Sequence, residues 1–197
     1  TSDLQTLIDE LTIMKNLNQE NIVKLIAVRD NATYKSKDGS TFTCFAIVLE
    51  YCAGGELFDF VCDTGKFSEK VTRTYFHQMM SGLHYLHEKG YAHRDIKPEN
   101  LLLNVDFKLK LADFGFAILW KGRDGSGILH TKLGTEGYMA PEIYAKNYEG
   151  KQTDVFAAGI ILFIMYAGCP PFERTNDTDP YFKLLKSKDF DKFWKYH

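Results

Sequence analysis

The chain has 197 residues, 45% of them hydrophobic and 25% charged, with a formal net charge of -2. That length and mixture suit one sizeable core with room for a small annex, as in an ordinary soluble globular protein. With no basic surplus to neutralise phosphates along a duplex, nothing points to a nucleic-acid binder, and Lys183, Lys186 and Lys188 read as a solvated helix face. In chain order, the first stretch places Leu4, Leu7, Ile8, Leu11, Met14 and Leu17 on one helical face, with Asp9 and Lys15 elsewhere. The pattern breaks from Asn18 to Asn21. Ile22 to Val28 then reads as a strand, Arg29 to Ser40 as a polar turn region containing Asp38-Gly39, and Thr43 to Tyr51 as a second, antiparallel strand. Ala53-Gly54-Gly55 stops that strand, and from Glu56 the chain turns helical.

Ser68 is a suitable N-cap for a helix whose apolar face is Val71, Tyr75, Met79, Leu83 and Leu86, with Gly90 closing it. Leu101 to Leu103 and Leu109 to Ala112 read as short strands of a hairpin around Asp106. No period emerges between Phe116 and Tyr138, whose glycines predict a long mobile loop of a size that is usually functional. Helices are expected at about Thr153–Ala167 and Pro180–Lys186. Val155 to Phe172 is uncharged and reaches the length of a spanning segment. Pro170 and Pro171 cut it short and Asp154 heads it, so a helix buried in a globular lobe, and no membrane span, is expected. Cys44, Cys52, Cys62 and Cys169 lack the paired spacing of a zinc site. They lie in or beside apolar segments, where buried free thiols are expected, and they suit a reducing compartment, cytoplasmic or nuclear.

Three motifs carry chemistry. His93-Arg94-Asp95-Ile96-Lys97-Pro98-Glu99-Asn100 precedes Asp113-Phe114-Gly115, and Ala140-Pro141-Glu142 follows. Singly each has a plain structural explanation, such as a turn or a helix start with proline near its first position. In this order and spacing they are the signature set of protein kinases. Over nearly its whole length the chain resembles the catalytic domain of a eukaryotic-type serine/threonine protein kinase, incomplete at both ends. The resemblance implies an α+β, bilobal fold. Residues 1–51 would be the remainder of the N-lobe (one helix and two strands) and the hinge, and residues 52–197 a mostly helical C-lobe without its last helices.

The implied activity is ATP- and Mg²⁺-dependent phosphorylation of protein serine or threonine hydroxyls. Phosphoryl transfer asks the protein mainly for positioning and for neutralisation of spreading negative charge. Asp95 would accept or orient the proton of the substrate hydroxyl, and Lys97 would meet the migrating phosphoryl group as a compact point charge. Asn100 and Asp113 supply the oxygen ligands that a hard cation prefers. The resemblance makes Thr135 the partner of Asp95 and Lys97, and Lys97 with Gly134-Thr135 favours serine or threonine over tyrosine as acceptor. It makes Glu10 the helix glutamate that pairs with a strand lysine, Leu49 the gatekeeper, and Glu50, Tyr51 and Cys52 the hinge that meets adenine. Leu102 becomes the apolar floor beneath adenine, and both Leu49 and Leu102 are expected in the core. Met14, Leu25, His93 and Phe114 match a hydrophobic column complete only in the active state, a two-position element of the kind a switch needs. Asp154 matches the carboxylate that braces the backbone around His93 and Arg94.

Glu56 matches a position that contacts ribose or basic substrate side chains. Together with Glu99 it suggests substrates with basic residues before the acceptor. Thr131 lies where an activating phosphate is often placed and Arg94 is its natural partner, which leaves room for an upstream activating kinase. The segments Gly55-Glu56-Leu57-Phe58 and Asp113 to Ala117 look most like the calcium/calmodulin-dependent kinase branch, although no calcium-binding loop or calmodulin-target helix is visible. The family's glycine-rich loop, its strand lysine and the arginine that pairs with Glu142 are absent from these residues, so the segment alone is expected to be unstable and nearly inactive. Gln19 stands where histidine is common and Phe156 where tryptophan is usual. A pseudokinase acting as a binding module is the alternative, against which Asp95, Asn100 and Asp113 argue. A small-molecule kinase is a third reading, against which the long segment from Gly115 to Glu142 argues.

Overall fold

The structure, a computed structural model, describes residues 2–122 and 124–197. Helix α1 (Ser2–Lys15) leads into an antiparallel ribbon of β1 (Leu25–Lys35) and β2 (Thr41–Leu49). On α1 the buried side chains are Leu11, Ile13, Met14 and, just beyond it, Leu17, whereas Leu4 is 63% and Ile8 47% exposed. The expected face is therefore met only in the last turns. Those turns touch the core, and no described residue covers the first ones.

Both predicted strand boundaries shift. Asn21 to Val23 is not in the ribbon because it is paired elsewhere. Its Nδ2 and main-chain oxygen bind Leu109 O and Leu111 N at 2.9 and 2.7 Å, and Val23 N donates to Leu111 O. At the far end the predicted polar region from Arg29 shrinks to a turn at 36–40, because the ladder continues to Lys35 opposite Thr41. Asp38 makes that turn, its Oδ1 accepting from Ser40 N and Oγ beside Gly39 at φ +88°.

Next come β3 (Gly55–Glu56), α2 (Leu57–Thr64), α3 (Glu69–Glu88), β4 (Tyr91–Ala92), a 3₁₀ turn at Pro98–Asn100, β5 (Leu101–Leu103), β6 (Leu109–Leu111) and β7 (Ile118–Leu119). Ser68 caps α3 as expected, its Oγ accepting from Val71 N. Met79, Leu83 and Leu86 are fully buried, while Val71 in the first turn stands 39% exposed. β3, β5 and β6 make a small antiparallel sheet in that order, the expected hairpin forming its β5–β6 half.

The chain ends with α4 (Pro141–Tyr144), α5 (Gly150–Ala167), α6 (Pro180–Lys186) and α7 (Phe190–Tyr196). α5 starts three residues before its predicted position, and its Ile160, Ile161, Ile164 and Met165 join α3 and β6 in the main core. One face of the uncharged run is thus interior packing, while Val155 and Tyr166 stand exposed, and among the described residues no helix is long and apolar enough to cross a membrane. α7 carries no clear sequence period; Phe193 anchors it, buried against Phe163 and His197.

The segment predicted as a mobile loop is tied down at separate points. β7 pairs with β4, Leu129 and Tyr148 exchange two backbone hydrogen bonds, and Tyr148 Oη donates to Thr131 O at 2.7 Å. Leu129, Met139, Ala140, Ile143 and Tyr148 form a second core cluster beneath it. Single bridges leave no period in a sequence, which is why none was visible. The four thiols are free, but Cys62 is exposed and the other three half-buried. The expectation of buried thiols fails because α2 turns Leu57, Phe58 and Val61 inward and leaves Cys62 on its outer face.

Candidate active site

The site is built on Asp154, within α5, whose side chain is fully buried. Its Oδ2 accepts from His93 N and bonds His87 Nε2, both at 2.8 Å, and its Oδ1 accepts from Arg94 N at 2.7 Å. A helix thus grips two successive N–H groups of a loop some 60 residues earlier in the chain. The His93 ring, also buried, donates from Nε2 to Ala112 O and accepts Asp95 N on Nδ1, a pattern that selects one tautomer. Arg94 and Asp113 have φ of +66° and +61°. For residues with a side chain this left-handed backbone costs on the order of 1–3 kcal/mol and persists only where neighbours impose it. Here Asp154 imposes it at Arg94.

That frame presents Asp95, 5% exposed. Thr135 Oγ1 donates to its Oδ1 at 2.8 Å, Lys97 Nζ lies 2.6 Å from its Oδ2, and Lys97 Nζ also donates to Thr135 Oγ1 at 3.3 Å. Asn100 Nδ2 closes the loop from behind on Asp95 O at 2.9 Å. The three residues assigned to catalysis therefore meet in one triangle. The hydrogen bond to Asp95, reinforced against desolvation by the charges of Asp95, Glu99 and Asp113, holds the Lys97 ammonium above its ordinary pKa. Gly134 must precede Thr135, since its φ is +117° and a Cβ there would lie 3.0 Å from Arg94 O.

Beside the triangle stands a surplus of oxygen. Asn100 spends its Nδ2 on Asp95, leaving Oδ1 with no partner among the described residues. Asp113 is exposed, and among the described residues its Oδ1 accepts only from Gly115 N. Glu10 is half-buried, has no ion-pair partner among the described residues, and has its carboxyl pushed up by burial and then by the charge of Asp113. This donor set fits a hard divalent cation held by two protein side chains and completed by phosphate oxygens. Among the described residues no three His, Cys, Asp or Glu side chains could hold a metal by themselves.

The wall expected to face a nucleotide is partly assembled. Glu56 and Leu102 are register partners on neighbouring strands, and both are half-buried. Leu49, by contrast, is 44% exposed. The core position expected for both is not met: Leu102 is only half-buried and lies outside the core clusters, and Leu49 ends β2 at the ribbon's edge with no described residue over it. Glu50, expected to begin the hinge, has its N–H on Lys24 O and its carboxylate on Lys110. Cys52 is half-buried, its thiol pushed up by burial and then by Glu50. Glu99 is exposed, and after burial its charge helps push the Tyr138 hydroxyl up to about 12. Met14, His93 and Phe114 are buried with Leu25 packed against the same core, and the His93 and Phe114 rings lie 5.2 Å apart. Thr131 is exposed, while Arg94 Nε donates to Phe116 O at 2.8 Å, and no hydrogen bond joins the two among the described residues.

Sequence reasoning missed His87, Tyr138 and Lys110. Lys110 had left a signal, a charged residue between Leu109 and Leu111 in an apolar strand.

Comparison with known proteins matches residues 1–195 to the protein kinase domain. The chain is 42% identical over 180 residues to CBL-interacting protein kinase 26 of Oryza sativa subsp. japonica, covering 91% of this chain and 34% of that protein. It is 40% identical to CBL-interacting serine/threonine-protein kinase 26 of Arabidopsis thaliana, over 89% of this chain and 38% of that protein. It is 39% identical to the maternal embryonic leucine zipper kinase of Danio rerio, over 98% of this chain and 27% of that protein. The chain spans about a third of the length of such relatives. With its α+β architecture and the Asp95–Lys97–Thr135 triangle in place, the chain belongs to the protein kinase domain family, in the calcium/calmodulin-dependent kinase-like branch that its motifs resembled.

Proposed function

We propose that the protein containing this chain transfers the terminal phosphoryl group of ATP to serine or threonine hydroxyls of other proteins. The observation that carries this is the triangle. Asp95, held by Thr135 and Lys97, offers a carboxylate where an incoming hydroxyl sheds its proton, and Lys97 sits beside it as a fixed positive charge. Thr135 spends its hydroxyl on Asp95, which keeps that carboxylate aimed rather than free to rotate. The new P–O bond forms at the acceptor oxygen as the bond to the ADP leaving group breaks, and the acceptor's proton passes to Asp95. Asn100 and Asp113 would hold Mg²⁺, whose chemistry is to offset phosphate charge. In this reading the backbone of Glu50 to Cys52 meets adenine above Leu102, and Glu10 awaits a cation. The boundary between lobes falls at residues 51 and 52, and the protein works in the cytoplasm or nucleus.

Glu56 and the exposed Glu99 favour substrates with basic residues before the acceptor. A peptide array showing no gain from upstream Arg or Lys removes that preference. Phosphorylation of Thr131, exposed and hung on Tyr148, is the proposed activation step. A Thr131→Ala protein as active as the fully phosphorylated wild type removes it. The second reading, a pseudokinase, draws on Glu10, which lacks a cation partner among the described residues. One experiment separates the two. In the full-length protein Asp95→Asn is expected to lower transfer by at least about 10²-fold, within the range of general-base contributions, while nucleotide binding stays within about twofold. Undiminished transfer by that variant refutes the role of Asp95, and no transfer by the wild type brings the pseudokinase forward.

A further inference from the structure

Among the described residues, outside the catalytic triangle and the Asp154 brace, one ion pair is sheltered on both sides. Lys110 Nζ lies 2.6 Å from Glu50 Oε1 and donates to Oε2 at 2.9 Å, with side chains only 9% and 25% exposed. The other ion pairs of the described surface are at least 40% exposed on each side and are worth little. Sheltering two charges is unfavourable unless their geometry is tightly satisfied, and removing one partner leaves the other uncompensated. A pair like this fixes a conformation more than it adds stability.

What it fixes is the start of the hinge. Glu50 is gripped three times: its N–H donates to Lys24 O at 2.8 Å, its Oε2 accepts from Lys24 N at 3.2 Å, and both oxygens meet Lys110. Lys110 is itself placed by β6. There it is the register partner of Leu102, which in turn partners Glu56, so the three side chains share one face of the small sheet. Three residues after Lys110 the strand delivers Asp113. Cys52 feels both charges, Glu50 raising and Lys110 lowering its thiol pKa, so the pair lies within electrostatic reach of the segment two residues along the hinge.

We infer that Lys110 is a positioning residue for the nucleotide: through Glu50 it clamps the hinge backbone to the strand that carries Leu102 and leads to Asp113. This rests on the kinase reading above. Lys110 touches no reacting atom, so it acts on nucleotide affinity and leaves the transfer step largely alone.

The test is steady-state kinetics of the full-length protein with varied ATP, beside direct titration with a fluorescent ATP analogue. Lys110→Met is expected to raise KM and the analogue's Kd at least fivefold with kcat within about twofold. Lys110→Arg, which keeps the charge, restores both to within about twofold of wild type. Should Lys110→Met not fold, Glu50→Gln decides instead, since it keeps the shape and an acceptor while losing the charge; its KM is expected to rise at least threefold. A KM within twofold of wild type in whichever of the two folds overturns the inference, as does a fall in thermal stability alone. The wild-type measurement keeps the two readings apart. No transfer by wild type strikes the kinase reading, whereas normal transfer with an unmoved KM in the variants strikes only the clamp.

Discussion

Replacing Asp154 with alanine tests whether the loop that carries Asp95 is held by a helix rather than by its own sequence. The carboxylate is fully buried and receives His93 N, Arg94 N and His87 Nε2 at 2.7–2.8 Å. Truncation leaves two main-chain donors unsatisfied, at about 1–3 kcal/mol each, and ends one side-chain hydrogen bond worth about 1 kcal/mol more. The loss is therefore about 3–7 kcal/mol if the loop stays where it is. Alternatively the loop relaxes, and Arg94 gives up its φ of +66°, recovering about 1–3 kcal/mol of strain. That relief necessarily moves Asp95, the next residue. The two observables are thus linked: whatever stability the variant recovers, it recovers by losing the triangle. A net loss of about 4 kcal/mol corresponds to a fall in Tm of roughly 8–16 °C for a domain of this size. Calorimetry and transfer assays on the full-length protein measure both quantities. Asp154→Asn, which keeps one acceptor oxygen, should fall between wild type and Asp154→Ala. An Asp154→Ala protein with the kinase-domain transition within about 2 °C of wild type and full activity refutes the reasoning.

Two further outcomes follow from particular contacts. Gly82 lets α3 pass close to β6; a Cβ there would lie 2.8 Å from Leu111 Cδ1 and 3.0 Å from Asn21 O. Leu111 is fully buried and cannot swing away. The gain of about 1 kcal/mol in helix propensity is outweighed by about 1–3 kcal/mol of overpacking, so Gly82→Ala lowers the urea midpoint, and a raised midpoint counts against the close approach. Tyr138 gives a pH signature. Burial first, and then Glu99, push its hydroxyl up to about 12 from the ordinary value of 10.0. A group raised in the folded state contributes stability that is fully present below its unfolded pKa and is lost as pH rises through the folded one. Stability should therefore fall between about pH 10 and 12, and Tyr138→Phe should flatten that fall in a denaturation series against pH; an unchanged slope removes Tyr138 as its source.

The parts of this protein legible from the chain are those whose information is local. Ser68 with the spacing from Tyr75 to Leu86 gave α3, Asp179 before Pro180 marks the start of α6, and the hairpin at Leu101 to Leu111 lies where its apolar runs placed it. The candidate site residues stand out for a different reason, since Asp95, Lys97 and Asn100 fall within six residues of one another and their order with Asp113 repeats a known signature. Boundaries went astray wherever a distant strand competed. Ile22 alternates well enough for β1 but is claimed by Leu111, and Arg29 to Lys35 looks like a polar loop until β2 is laid beside it. Leu4 and Ile8 have the period of a buried face, yet periodicity records only that a face is apolar, not that something covers it.

What local patterns hide most effectively are the partners of charged residues far away in sequence. Glu50 meets Lys110 across 60 residues, and Asp154 accepts the main-chain N–H groups of His93 and Arg94 across 61 and 60, a contact that only the family resemblance had named. No local pattern names such partners, but each leaves a trace, because a charge inside an apolar stretch cannot be buried alone. Lys110 stands between two leucines of a strand, and Asp154 heads the longest uncharged run in the chain. The desolvation penalty makes both positions untenable without an acceptor or donor supplied from elsewhere. In each case the structure supplies it: Glu50 for Lys110, and the N–H groups of His93 and Arg94 for Asp154. A misplaced charge is therefore a pointer to the element it restrains: Asp154 points to the loop that carries Asp95, and Lys110, three residues before Asp113, points to the segment that begins at Glu50.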